Sequence, residues 1–137
     1  MTANISEVLS RVPTGLLING QWVDAQDGAT FDVENPATGE VIATLASAGE
    51  ADAMAALDAA CAVQDEWAAT SPRERSAILS RAFDLVQERA ETFATLMTLE
   101  MGKPLAEARG EVTYGNEFLR WFSEEAVRLY GRYGATP

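Results

Sequence analysis

The sequence contains no histidine and a single cysteine in 137 residues. The absence of histidine excludes Ser-His-Asp and Cys-His nucleophile pairs and histidine-based metal sites within this chain. One cysteine cannot form an internal disulfide and is typical of a reducing cytoplasm. Because Cys61 falls mid-helix among alanines, we expect it to be a buried packing residue rather than a reactive thiol.

Basic residues are also scarce, since 10 Lys and Arg stand against 21 Asp and Glu, giving a net charge of −11. Phosphate-backbone binding needs clustered Lys and Arg, so we expect no nucleic-acid partner and no attraction to anionic membranes. The first fifteen residues contain neither the basic region nor the apolar region of a secretory signal peptide. No apolar run approaches the ~18 residues that a membrane span needs. These absences predict a cytoplasmic protein.

Local patterns divide the chain into a tail (residues 1–15, with one helical turn around Ile5–Leu9), a strand segment (16–46) and a helical segment (47–137). The Asn19-Gly20 pair favours a two-residue hairpin turn, because both residues tolerate positive φ. Asn35–Gly39 is a second predicted turn. The predicted strands, which are short and rich in β-branched residues, are Leu16–Ile18, Gln21–Asp24, Thr30–Glu34 and Val41–Ala46.

Three helical stretches follow. Ser47-x-x-Glu50 has capping-box spacing and predicts a helix to about Trp67, with an inward stripe at Met54, Leu57, Cys61 and Trp67. Ser71-Pro72-Arg73-Glu74 is a stronger start, with a cap, proline at the first position and Glu at the third. That helix carries Ile78, Ala82, Leu85 and Val86 on one face, breaks near Ala90–Thr92, and has Gly102 as its C-cap.

The last predicted helix runs from Pro104 to about Tyr130 and is the most regular element. Apolar and small residues recur at alternating steps of three and four, and Phe118, Trp121 and Tyr130 widen this face. Gly110 and Gly115 interrupt the helix, and close packing against a neighbouring element or ligand would explain them. The stripe comprises Leu105, Ala108, Val112, Gly115, Leu119, Phe122, Ala126 and Leu129.

Motifs for chemistry are few. No Gly-x-Gly-x-x-Gly is present, and Met97–Pro104 does not supply a P-loop, so neither fingerprint of nucleotide binding occurs. Most carboxylates fall on polar helix faces, where solvated surface is the expected role. Glu100 differs because it precedes the Gly102–Pro104 break, where free backbone carbonyls could join it around a hard cation. Helix-end capping or a salt bridge is the alternative for Glu100.

Five stretches together resemble the aldehyde dehydrogenase superfamily: LLINGQWVDA, FDVENPATGEVIAT, SPRER, LMTLEMGKPLAEARGEV and WFSEEAVRLYG. Their combination is most similar to the succinate-semialdehyde dehydrogenase branch. The resemblance implies that this piece is mainly α with a small N-terminal antiparallel β-sheet. It implies a parent enzyme of α/β fold with a Rossmann-like cofactor domain, of which this would be the N-terminal part.

The resemblance also implies an activity, NAD- or NADP-dependent oxidation of an aldehyde through a cysteine thiolate. In that family the nucleophile, the glutamate base, the oxyanion groups and the cofactor strands follow the region seen here. We therefore expect no catalytic and no cofactor-binding residue in this chain, and no activity from it alone. The expected partners are the remainder of the dehydrogenase chain and further copies in a homo-oligomer.

Two sets of secondary site residues are implied by the resemblance. Val33 or Glu34, together with Glu100, are candidates for a structural monovalent cation. Residues after the Gly-Lys-Pro turn are candidates for the substrate tunnel, with core packing as the alternative for the apolar ones. The tunnel candidates are Gly115, Phe118, Leu119 and Phe122. The rival hypothesis is a non-catalytic binding or assembly module that docks another chain through the long amphipathic helix.

Overall fold

The computed structural model describes residues 5–129 and residue 131, and its elements are mostly helical. The predicted class, mainly α with a small antiparallel β portion, is confirmed. The last helix ends at Ala126, earlier than the predicted end near Tyr130, a residue that lies outside the described ones. The elements are α1 (Ile5–Ser10), β1 (Leu16–Ile18), β2 (Gln21–Val23), β3 (Thr30–Glu34), β4 (Val41–Ala46), α2 (Glu50–Ala69), α3 (Pro72–Glu88), α4 (Ala90–Met101) and α5 (Leu105–Ala126).

The four strands form two antiparallel hairpins, β1-β2 and β3-β4. The first turns through Asn19 (φ 49°) and Gly20 (φ 73°), the two positive angles that the Asn-Gly pair predicts. In the second, Val33 pairs with Ala43 but Glu34 pairs with Val41, so one residue of β4 is skipped. This irregularity bends the ladder where the chain enters the Asn35–Gly39 turn.

The start of α2 differs from the prediction. Its N-cap is Gly49, and neither Ser47 nor Glu50 forms the expected capping box. Asp52 takes that role: its carboxylate accepts the Gly49 N–H at 2.9 Å and the Gln26 N–H at 3.1 Å. Asp52 is only 3% exposed. A long-range contact to the loop before β3 therefore stabilises the helix start, and sequence spacing alone does not reveal that contact.

The predicted inward stripe of α2 is wrong. Met54, Leu57 and Trp67 are about half exposed, and Cys61 is exposed as well. The helix contacts β1 and, through Asp52, the loop before β3, and among the described residues no element covers its length. An alanine-rich helix has apolar side chains on every side, so its sequence does not specify a buried face. Cys61 is therefore not a packing residue in this structure.

The start of α3 agrees with the prediction. The Ser71 hydroxyl accepts the Glu74 N–H, and the Glu74 carboxylate accepts the Ser71 N–H at 3.1 Å. The Ser71 hydroxyl also donates to the Glu74 carboxylate at 2.8 Å. This hydrogen bond and, to a smaller extent, the one from the Ser71 N–H lower the pKa of the Glu74 carboxyl. The break between the helices comes at Arg89, just before the predicted point, and Gly102 ends α4 with a φ of 73°.

The buried core lies where α3 and α4 pack against α5. Ala94, Ala108 and Val112 form its centre, and partly buried Val86 and Met97 pack against them. Alanine at the two central positions allows the helix backbones to approach closely. None of the described helices is both long and apolar enough to cross a bilayer.

The buried stripe of α5 differs from the predicted one in its second half. Ala108 and Val112 are buried as expected, but the line continues through Asn116 and Ser123. Gly115 and Phe122, which the period of three and four placed inward, are exposed, as is Leu129. The two polar side chains are tolerated because each donates to a backbone carbonyl, Asn116 to that of Phe83 at 3.1 Å and Ser123 to that of Arg120 at 2.7 Å.

Candidate functional site

An aromatic cluster lies on the exposed side of α5. Four large side chains project from successive turns and, with Glu117, line an open cavity of about 340 Å³. Tyr114 and Phe118 pack edge to face, with ring centroids 5.2 Å apart at 89°. We call this feature the aromatic surface; its aromatic members are Tyr114, Phe118, Trp121 and Phe122.

The aromatic surface contains two of the four tunnel candidates. Phe118 and Phe122 line the cavity and are 48% and 55% exposed, so core packing is not their role among the described residues. Leu119 is half-buried, and neither it nor Gly115 is among the lining residues. A Cβ at Gly115 would meet nothing within 4 Å, so close packing against a described neighbour does not explain this glycine.

No sequence motif assigned a site role to Tyr114, Glu117 or Trp121. Tyr114 and Phe122 each lie four residues from Phe118, a spacing that places side chains on one helix face. That spacing would have identified a second apolar face, separate from the buried one. The Glu117 carboxylate forms an ion pair with Arg120, so the charge beside the rings is paired. The surface is suited to apolar binding and carries no nucleophile with an adjacent base.

A buried hydrogen bond and an ion pair hold α5 in place behind this surface. Asn116 donates to the Phe83 carbonyl of α3, while the Arg109 guanidinium makes two hydrogen bonds to the Glu91 carboxylate of α4, at 2.7 and 2.9 Å. These hydrogen bonds from Arg109 lower the pKa of Glu91 below its ordinary value of 4.5. The bidentate geometry fixes orientation as well as distance.

The candidate cation ligands lie at the ends of β3 and α4. Val33 is half-buried, whereas Glu34 and Glu100 are exposed. The turn after β3 approaches the turn after α4, since a Cβ on Gly102 would lie 3.2 Å from Cγ of Pro36. Among residues 5–129, no three acidic or cysteine side chains converge as metal ligands. The donors would therefore have to include backbone carbonyls, as the resemblance implies, and the cation site stays a prediction.

The described residues lack the two structural features of a Rossmann-type dinucleotide site. Both sheets are antiparallel hairpins, so the described part of the chain has no parallel β-α-β crossover, and no Gly-rich turn leads from a strand into a helix. Lys103 forms an ion pair with Glu111 instead of presenting a free cation. No step of a cofactor reaction can be assigned to these residues.

Comparison with known proteins places these features in one family. Residues 22–136 match the family model described as "Aldehyde dehydrogenase family". The chain is 72% identical over 97 residues to a succinate-semialdehyde dehydrogenase of Paenarthrobacter nicotinovorans, covering 71% of this chain and 22% of the relative. It is 51% identical over 114 residues to a glutarate-semialdehyde dehydrogenase of Pseudomonas putida, covering 83% and 24%.

The structural comparison agrees. The crystal structure of an aldehyde dehydrogenase from Brucella melitensis biovar abortus matches with a TM-score of 0.88 and 48% identity, over 90% of this chain and 26% of that one. The described elements correspond to an N-terminal piece of that fold. The chain thus spans about a quarter of the length of the relatives it matches. Because the family model matches most of its length, the chain belongs to the aldehyde dehydrogenase family.

Proposed function

We propose that this chain is the N-terminal portion of an NAD- or NADP-dependent aldehyde dehydrogenase that oxidises succinate semialdehyde to succinate. The observation that carries the proposal is the 72% identity to a succinate-semialdehyde dehydrogenase. The 51% identity to a glutarate-semialdehyde dehydrogenase supports the same substrate class, a short aldehyde with a terminal carboxylate. The branch assignment rests on sequence similarity, since substrate-binding groups are not identified among the described residues.

We further propose that the chain alone is inactive and acts as scaffold for the rest of the enzyme. Cys61 lies in the middle of α2, eleven residues after the helix start, which is too far from the helix N-terminus for that end to activate the thiol. The aromatic surface is a candidate wall of the substrate tunnel, with Phe118 and Phe122 facing the substrate side. The remainder of the dehydrogenase would cover this surface and the exposed apolar side chains of α2.

A turnover assay on the isolated chain tests the scaffold proposal. The purified chain is mixed with succinate semialdehyde and either NAD or NADP, and formation of reduced cofactor is followed against a heat-denatured sample. We expect no rate above that background, because a thioester mechanism needs an activated thiolate and an oxyanion site. Any rate above background would refute the scaffold proposal, and loss of that rate in Cys61→Ser would assign the nucleophile to Cys61.

The second candidate function is a non-catalytic assembly module, and the exposed aromatic surface favours it. The coding DNA after the Pro137 codon distinguishes the two. An open reading frame that continues into a dehydrogenase body supports the scaffold. A natural stop codon, with an intact dehydrogenase gene elsewhere in the genome, supports the module.

The proposal includes a cytoplasmic location and a homo-oligomeric parent, without a nucleic-acid or membrane partner. These features come from the family resemblance and from the acidic composition, with a net charge of −11. Cell fractionation followed by light scattering on the native enzyme tests them. Recovery in the membrane fraction, or a monomeric mass for the native enzyme, would contradict this part.

A further inference from the structure

A second cavity lies away from the aromatic surface, between α1 and α4. It has a volume of about 490 Å³, within the range of small-molecule sites. Its floor is apolar and includes Val8, which is 4% exposed, together with Val12, Phe93 and Leu96. We call it the α1–α4 cleft. Neither the tunnel nor the cation prediction uses any of its residues.

The charged residues that line the α1–α4 cleft are all basic. Arg11 and Arg89 are both lining residues, and no Asp or Glu lines the cavity. This is unusual for a chain that carries 10 basic and 21 acidic residues. The cleft is therefore an apolar-floored recess whose charged lining residues are both arginines.

The carboxylates adjacent to Arg89 are held by other partners. Glu88 pairs with Arg81 at 3.5 Å, and Glu91 is held by the two hydrogen bonds from Arg109. Among the described residues no carboxylate lies within ion-pair distance of Arg89, whereas Arg11 pairs with Glu7 at 2.5 Å. Arg89 thus retains an available guanidinium at the cavity edge, and a guanidinium binds a carboxylate with two parallel hydrogen bonds.

We infer that the α1–α4 cleft binds an amphipathic monocarboxylate, an aliphatic chain of about six carbons ending in one carboxylate. The chain would lie on Val12, Phe93 and Leu96, and the carboxylate would bind Arg89, with the Thr92 hydroxyl available as a further donor. The apolar floor disfavours a fully polar anion, and the guanidinium favours an acid over a neutral or cationic amphiphile. This site is independent of the proposed dehydrogenase activity.

The test is a titration of the full 137-residue chain with hexanoate, monitored by two-dimensional amide NMR at physiological ionic strength. We expect saturable shifts at Arg89, Thr92, Phe93 and Leu96, and much weaker effects from 1-hexanol, hexylammonium and acetate. The alcohol and the amine test the charge, and acetate tests the apolar chain. Equal shifts from hexanoate and hexanol, or equal affinity for acetate and hexanoate, would overturn the assignment.

Variants locate the site. Arg89→Gln is expected to weaken hexanoate binding about tenfold through loss of the charged hydrogen bonds. Arg73→Gln is the matched control, since Arg73 is an exposed arginine on α3 outside the cleft. Val12→Thr, which preserves shape and adds a hydroxyl, is expected to weaken binding a few-fold. Equal losses in the two arginine variants would attribute binding to net charge and refute the site.

The remaining outcomes are also decisive. Hexanoate shifts confined to the aromatic surface would contradict the α1–α4 cleft as the binding site. Cleft resonances that shift with protein concentration, and not with hexanoate, would show that a second copy occupies the cleft. Circular dichroism of each variant confirms that helix content is unchanged before affinities are compared.

Discussion

Replacement of Asp52 by alanine provides the sharpest test of how the hairpin region is joined to the helices. The 3% exposed carboxylate accepts the N–H groups of Gly49 and Gln26, and no other described acceptor bonds these two donors. Hydrogen bonds to a charged group contribute ~1.5–3 kcal/mol each, but Gln26 is exposed, so its N–H regains water. Alanine has a higher helix propensity than aspartate, which offsets about 0.5 kcal/mol of this loss. We expect the free energy of unfolding to fall by about 2–3 kcal/mol.

Urea unfolding followed by circular dichroism measures this loss. Asp52→Asn retains one acceptor oxygen and is expected to cost about 1 kcal/mol. Asp58→Ala is the control, because Asp58 is an exposed aspartate on the same helix, and we expect a change within about 0.5 kcal/mol. If Asp52→Ala were no more destabilising than Asp58→Ala, the carboxylate would not join the loop to α2, and the reasoning would fail.

Three further predictions concern the packing of the helices and the first hairpin. Glu91→Gln removes the ion pair with Arg109. The pKa of Glu91 is lowered in the folded state, so the ion pair stabilises the fold above pH 4.5, and this stabilisation is lost as the pH falls through the pKa of Glu91 in the folded protein. Urea midpoints of wild type and Glu91→Gln should therefore converge below pH 4.5, and a constant difference would contradict this. Asn116→Asp removes the donor to the Phe83 carbonyl and buries a charge, so the free energy of unfolding should fall by about 3 kcal/mol. Asn116→Leu removes the same donor together with the unpaired Oδ1 of Asn116, so the free energy of unfolding should fall by at most about 1 kcal/mol. Asn19→Val places a β-branched residue at φ 49° and should cost about 1–2 kcal/mol in thermal melts, whereas Asn19→Gly should change little.

The elements predicted correctly are those whose signals are local in the chain. The Asn19-Gly20 turn, the Ser71–Glu74 cap and the Gly102 C-cap each depend on residues within a few positions of one another, and each appears in the structure. The Asn35–Gly39 turn sets the end of the strand Thr30–Glu34 and the start of the strand Val41–Ala46, and both strands have the predicted limits.

The failures have one physical cause, which is that burial depends on neighbours distant in sequence. For α2, the apolar residues Met54 and Leu57 predicted an inward face, but no described element packs along it. The start of α2 was mispredicted for the same reason. The spacing of Ser47 and Glu50 predicts a capping box, but in the structure the Asp52 carboxylate accepts the Gly49 N–H and also the N–H of Gln26, which is distant in sequence.

The family and the element order were therefore determined by sequence alone, through motifs and caps that act over one or two turns. Only the tertiary structure decided which side of α5 faces α3 and α4. On that side Asn116 is buried where the sequence predicted Gly115, and Phe118 and Phe122 remain exposed. A helix with two apolar faces can bury either, and only close approach to its partners through Ala94 and Ala108 selects one. The other face, which carries Phe118 and Phe122, is therefore left exposed among the described residues.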